Sequence, residues 1–290
     1  ELVVTDTYDS DSKTYRIAFE QKHTATFDQS EKQNLVIPIQ FSLLNDNLEP
    51  LLLDDTNNQQ ITLELNKEQQ SLEFKNINSK PIPSLLHGFT APVKLDYAYT
   101  QQDLAKVMLG SPDEFARWDA GQKLFSDCIH SLAEKTEMEQ TASIHQTVAM
   151  FEPIIQSTDI SLALKAEILT LPSFETLFQQ VDSVDIDVLY QSRAQLLKAL
   201  AHTFHVEWLN HYSAFQKQSY AYQPEQVEQR KMRNLSLKYL TLSGQPNVEQ
   251  LLTEQFNSAD NMTNSLGVLS AAQLGDLDLF EKLMLTFEQK

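Results

Sequence analysis

The spacing of apolar residues changes near residue 100, from every second position to every third or fourth, and that change commits the chain to sheet first and helices after. Before it, Tyr15, Ile17 and Phe19 form one alternating row, and Leu35, Ile37, Ile39, Phe41 and Leu43 a longer one. Ile61, Leu63 and Leu65, then Leu72 and Phe74, then Val93, Leu95, Tyr97 and Tyr99 complete the set. Residues two apart share a strand face, so each row is one buried face. Turn-prone stretches separate the rows: Asp9-Ser10-Asp11-Ser12, Asn45-Asp46-Asn47, Asp54-Asp55-Thr56-Asn57-Asn58 and Asn76-Ile77-Asn78-Ser79. Short strands at this spacing predict a β-sandwich over residues 1–99. Pro38 interrupts the longest row and is expected on an edge strand or at a bulge, since it has no N–H for a ladder.

From Thr100 onward the period is helical. Ser111-Pro112-Asp113-Glu114 reads as a helix start, with Ser111 as cap, Pro112 in the first turn and Glu114 closing a capping box. Phe115, Trp118, Leu124 or Phe125, Cys128, Ile129 and Leu132 then form one apolar stripe. Further helices are expected at about 141–156, 159–170, 173–180, 184–217, 224–242, 246–257 and 262–288. Short connections marked by Pro153, Pro172, Pro224, Gly244 and Pro246 predict stacked antiparallel helices over residues 100–290. The stack is expected to be solenoid-like, although no repeat of fixed length is visible.

Composition narrows the function. With 40 acidic and 22 basic side chains the net charge is −18, which argues against nucleic acid and anionic membranes, since both need clustered Lys and Arg. No apolar run approaches the roughly 18 residues of a membrane span. One cysteine cannot form an internal disulfide, which fits a reducing compartment. The start, Glu1-Leu2-Val3-Val4-Thr5-Asp6, has no Met and no signal-peptide pattern, and it opens inside a strand-like stretch, as a piece of something longer would.

Several groups invite a chemical reading. His202, His205 and His211, with Glu207 among them, suggest a metal cluster. On one helix His205 and His211 would lie roughly 9 Å apart along the axis, which leaves His202 and His205 with no third ligand. Cys128 and His130 point to opposite sides of a helix and cannot act as nucleophile and base; Cys128 falls on the apolar stripe. Arg230-Lys231-Met232-Arg233 is expected as a solvated basic face balanced by Glu225 and Glu228. Asn234-Leu235-Ser236 and Asn261-Met262-Thr263 match the glycosylation triplet, which carries no meaning without a secretory signal. The sequence contains no H-E-x-x-H, P-loop, G-x-G-x-x-G, G-x-S-x-G or pair of Cys-x-x-Cys. No catalytic, cofactor-binding or metal-binding residue is therefore expected in this chain.

Five segments, in order, carry a family likeness: Glu31-Lys32-Gln33-Asn34-Leu35-Val36-Ile37-Pro38-Ile39, Pro83-Ser84-Leu85-Leu86-His87-Gly88-Phe89-Thr90-Ala91-Pro92-Val93, Phe115-Ala116-Arg117-Trp118-Asp119-Ala120-Gly121-Gln122, Ala166-Glu167-Ile168-Leu169-Thr170-Leu171-Pro172-Ser173 and Asn261-Met262-Thr263. Together they resemble the bacterial aminopeptidase N family, zinc enzymes of the gluzincin class that remove N-terminal residues from peptides. The resemblance implies an immunoglobulin-like β-sandwich followed by the first part of a helical domain that closes over the catalytic cleft. It also implies that the zinc ligands and the Gly-x-Met-Glu-Asn motif lie in a preceding catalytic domain. Met138-Glu139-Gln140 lacks that motif's glycine and asparagine, so no site residue carries over.

The expected function is thus the non-catalytic C-terminal portion of a zinc aminopeptidase, cut at both ends, inactive alone and cytoplasmic. Its partners would be the missing catalytic domain and, in the parent, peptide substrates; exposed docking surfaces would give weak self-association. The alternative is a standalone β-sandwich and helical module that holds a protein partner.

Overall fold

The computed structural model describes residues 1–23, 27, 32–53, 58–183, 185–215 and 219–289. Glu31, Val184, Gln216, Lys217, Lys290 and most of the expected Asp54–Asn58 turn lie outside them. Two compact units form, Glu1–Lys123 and Leu124–Lys290.

Among the described residues the first unit holds a four-stranded and a three-stranded sheet. In the first, β1 (Leu2–Asp9) pairs antiparallel with β2 (Thr14–Gln21), and β2 with β5 (Gln69–Phe74). β7 (Leu95–Asp96) runs parallel to β1. In the second, β3 (Ile37–Leu44) lies between β4 (Ile61–Leu65) and β6 (Ile82–Ser84). The apolar rows meet in one core; Phe19 from one sheet and Phe41 from the other lie 5.4 Å apart, ring centre to ring centre. Each of these buried rings contributes about 1.5–3 kcal/mol by leaving water.

Three expectations change here. Pro38 lies on the central strand, not an edge. Its half of β3 pairs with β4 alone, because β6 covers only Ser42–Leu44, so the missing N–H is tolerated. Leu35 is exposed and precedes β3. The last row shortens to Leu95–Asp96, because Tyr97 and Tyr99 pack edge to face at 4.4 Å and the Tyr99 hydroxyl donates to the Pro83 carbonyl.

α1 (Gln101–Gly110) follows, started by a Thr100–Asp103 capping box. α2 (Glu114–Leu132) starts at Asp113, whose Oδ1 accepts from the Ala116 N–H, rather than at Ser111. Ser111 Oγ instead accepts from the Asp113 N–H.

The second unit contains the rest of α2 and α3 (Glu137–Gln156), α4 (Leu162–Ile168), α5 (Phe174–Gln179), α6 (Ile186–Thr203), α7 (His205–Ala214), α8 (Pro224–Leu242), α9 (Val248–Ser258), α10 (Met262–Leu274) and α11 (Leu279–Glu288). α8 is its hub, packing against α4, α6, α7, α9 and α10. The Trp208 indole stacks on Tyr239 at 4.2 Å, and the Tyr239 hydroxyl donates to the Leu169 carbonyl, tying α7, α8 and the end of α4 together.

Two long expected helices are broken. The 184–217 stretch turns at Phe204 (φ −102°, ψ 29°), where the Leu200 carbonyl accepts from both the Phe204 N–H and the Trp208 indole N–H. The 262–288 stretch ends in a Schellman turn, Leu277 N–H to Ala272 and Asp276 N–H to Gln273, with Asp276 in the left-handed position usually held by glycine. Among the described residues no helix is long and apolar enough to cross a membrane.

Candidate functional site

A polar cluster of the first unit surrounds His87. Its fold comes from Leu86-His87-Gly88-Phe89, a tight turn with Leu86, Gly88 and Phe89 all at positive φ (56°, 60° and 50°). For Leu86 and Phe89 that conformation costs roughly 1–2 kcal/mol each. The Gly88 N–H donation to Asp113 Oδ2 at 2.9 Å and the Phe89–Phe115 ring contact at 5.0 Å offset it. Gln60 Nε2 donates to His87 Nδ1 at 2.7 Å, which leaves the ring proton on Nε2. Nε2–H then donates to Ser84 Oγ at 2.9 Å, and Ser84 lies 2.8 Å from Ser111 Oγ.

A serine beside a histidine suggests a nucleophile and its base. Here the imidazole is the donor, so it cannot take the serine proton. Ser42, Ser84 and His87 are also wholly buried, beyond the reach of a substrate. Burial lowers the His87 pKa below its ordinary value and keeps the ring neutral. The cluster is a structural clamp.

The histidines of the second unit do not converge. His202 is exposed near the end of α6, while His205 opens α7 and bonds Ser243 Oγ at 2.9 Å. His211 Nε2 lies 3.2 Å from the Ile155 carbonyl, and Glu207 is half-buried. Zinc needs three or four converging donors. Among the described residues no three His, Cys, Asp or Glu side chains form such a group. Cys128 is buried, its Sγ 4.0 Å from the Ser143 carbonyl, and burial raises its pKa. His130 faces Gln180 instead.

The basic run on α8 is not a solvated face. Met232 is buried, and Lys231 pairs with Glu167 of α4 rather than with Glu225 or Glu228. Arg230 lies 4.9 Å over the Tyr220 ring and donates to the Ala221 carbonyl and Gln226 Oε1. Arg233 lies 4.9 Å over Tyr212. Both arginines line a cleft bounded by α8, the end of α9 and the start of α10, which opens to solvent.

The cleft is built by side-chain amides. Asn261 caps α10, its Oδ1 accepting from the Asn264 N–H, and Asp260 Oδ2 accepts from the Tyr220 N–H. Asn234 Nδ2 donates to the Thr263 carbonyl, so its Oδ1 is left to accept from Gln255 Nε2 at 2.7 Å. Both glycosylation triplets are therefore committed to helix packing, and Ser236 is fully buried. Three buried polar atoms of the lining residues, Arg233 Nε, Gln255 Oε1 and Asn264 Oδ1, have no hydrogen-bond partner among the described residues. The sequence shows the two arginines and Asn261, but Gln255 and Asn264 emerge only when three helices meet.

Comparison with known proteins agrees with this architecture. Residues 1–98 match a domain of unknown function with an Ig-like fold, DUF3458, and residues 101–290 its companion with ARM repeats, DUF3458_C. Aminopeptidase N of Escherichia coli strain K12 is 32% identical over 291 residues, covering 100% of this chain and 33% of that protein. That of Haemophilus influenzae is 31% identical over 293 residues, again with 100% and 33% covered. Among solved structures, the crystal structure of Legionella pneumophila aminopeptidase A in complex with aspartic acid shares the fold. It gives a TM-score of 0.80 at 24% identity, covering 99% of this chain and 33% of that one. The chain spans about a third of the length of the curated relatives it matches.

Proposed function

The chain belongs to the DUF3458 family, an Ig-like domain followed by ARM repeats, and from that premise we propose that it is a non-catalytic portion of a longer zinc aminopeptidase. One observation carries the reading: relatives bearing the name aminopeptidase N align with its whole length while extending over about three times that length. The sequence supports it by lacking H-E-x-x-H. Zinc and the hydrolytic residues would then belong to another part of the parent.

In this role the chain supplies a shell. Its sandwich and helices would bound the catalytic cleft of the parent and exclude water and long substrates, a task for rigid packing rather than reactive groups. The location would be cytoplasmic and the first partner the catalytic part of the same protein. Surfaces made for that partner would give the isolated chain weak self-association.

The test compares the full-length parent with the isolated chain on a chromogenic aminoacyl amide. The reading expects turnover, abolished by a chelator, from the parent only. Equal turnover from the isolated chain would overturn it.

A further inference from the structure

From the recess between β7, α1 and α2 we infer a binding site for a primary alkylammonium group, its carbon stem among apolar walls and its charge on the Asp119 carboxylate. Every lining residue belongs to the first unit. The walls are Leu85 and Leu95 from the sandwich, Leu104 and Val107 from α1, and Ala116 and Ala120 from α2. Ala116, Asp119, Ala120 and Lys123 follow at three- and four-residue spacing and so share one face of α2, where the two alanines leave the space open. Asp119 supplies the one carboxylate of this lining. It is exposed, and among the described residues no hydrogen bond or ion pair reaches it. Protein nevertheless surrounds it closely enough that lost hydration raises its pKa above the ordinary carboxylate value. A carboxylate placed this way gains more from a charged donor than one in open water does.

The neighbouring polar groups leave this role open. Lys123 lies one turn beyond Asp119 and lowers its pKa through space, but no ion pair joins the two, and Lys123 has other partners. The Tyr99 hydroxyl is spent on the Pro83 carbonyl, and burial above all keeps it protonated. The Tyr97 and Tyr99 rings line the same space, and aromatic surface attracts a cation rather than an anion. Other ligand classes fit less well. An anion would meet the Asp119 charge, and a calcium or magnesium ion would find a single carboxylate where it needs about six oxygens. A plain hydrocarbon would leave that carboxylate without a partner. Size sets a further limit. The space is about 70 Å³, against roughly 150 Å³ for a cavity that takes up benzene, so a stem of about three or four carbons fits and a ring does not. The inference rests on this recess and not on the reading of the parent protein.

Titration of the full 290-residue chain with n-butylammonium, followed by NMR and calorimetry, tests it. At about pH 8 a carboxylate is ionised and an alkylamine still protonated. Saturable binding at one site is expected, with Kd on the order of 1–10 mM. n-Butanol has the stem without the charge and should bind at least about fivefold more weakly; butyrate should not saturate. Asp119→Asn, a change of nearly equal shape at an exposed helix position, should weaken butylammonium about fivefold or more and leave butanol unchanged. Lys123→Met removes the nearby charge and should keep or tighten butylammonium binding. Nα-acetyl-lysine methylamide separates the two sources of such a group. Its binding as tight as butylammonium assigns the site to a lysine side chain, and its failure beside bound butylammonium assigns it to a free amine; both outcomes uphold the site. No saturation by butylammonium, equal binding of butanol, or an affinity untouched by Asp119→Asn would overturn the inference.

Discussion

His87 shows how one residue can look catalytic and be structural. Its Nδ1 accepts from Gln60 and its Nε2 donates to Ser84, so both ring nitrogens are spent on holding the neutral form. His211 is likewise pushed below the ordinary value of 6.5 by burial. The unfolded chain takes up these protons near pH 6.5 and the folded chain only below it, so their stabilising contribution is complete above that value and is lost as the pH falls. Urea unfolding should therefore show a lower midpoint at about pH 5.5 than at about pH 7.5. The double variant His87→Gln/His211→Gln should narrow that gap, and an unchanged gap would show that these rings do not set it. Cys128 makes a second residue-scale case. Buried, with its thiol held protonated, it should resist a thiol-specific reagent in the folded chain and react within minutes in urea. Rapid labelling without denaturant would contradict its placement.

At the scale of elements, helix ends decide the architecture more than helix middles do. Lys165 is buried and donates to the Ile155 and Ser157 carbonyls, closing the C-terminal end of α3 from the next helix. Lys165→Met keeps the stem but strands those acceptors, and should cost about 1–3 kcal/mol in chemical denaturation. Gly110 ends α1 where a Cβ would come within 2.5 Å of the Leu48 Cβ and 2.6 Å of its carbonyl oxygen. Gly110→Ala should cost about 1–3 kcal/mol, because backbone cannot move aside as a flexible side chain can. A neutral result from either variant would show that the end in question tolerates more than its geometry implies.

The same scale explains what sequence reading reaches. Alternation found the rows of β2, β4 and β5 because one face of each is buried, and the 3.6-residue period found the helices. The break at Phe204 has no glycine or proline beside it; it depends on Trp208 reaching back to the Leu200 carbonyl, a contact between two helices. The 262–288 stretch does carry a stop signal in Gly275, although the left-handed position itself is held by Asp276. The cleft is the least legible feature. Arg230 and Arg233 read as a solvated face until the Tyr220 and Tyr212 rings are seen against them. The orphaned Gln255 oxygen exists only because α8 and α9 place Asn234 opposite it.

Over the whole molecule, the change of period near residue 100 corresponds to an Ig-like domain followed by ARM repeats, the two parts that the family matches divide at residues 98 and 101. The net charge of −18 is spread over both kinds of fold, while the chemistry expected of an aminopeptidase has no counterpart in the described donor groups. As proposed, this chain would supply a shell and another part of the parent the bond-breaking step. The most direct measurement is hydrolysis of an alanyl chromogenic amide by the purified chain, supplied with equimolar zinc. The account predicts a rate indistinguishable from buffer; turnover that co-purifies with the chain and disappears with a chelator would contradict it.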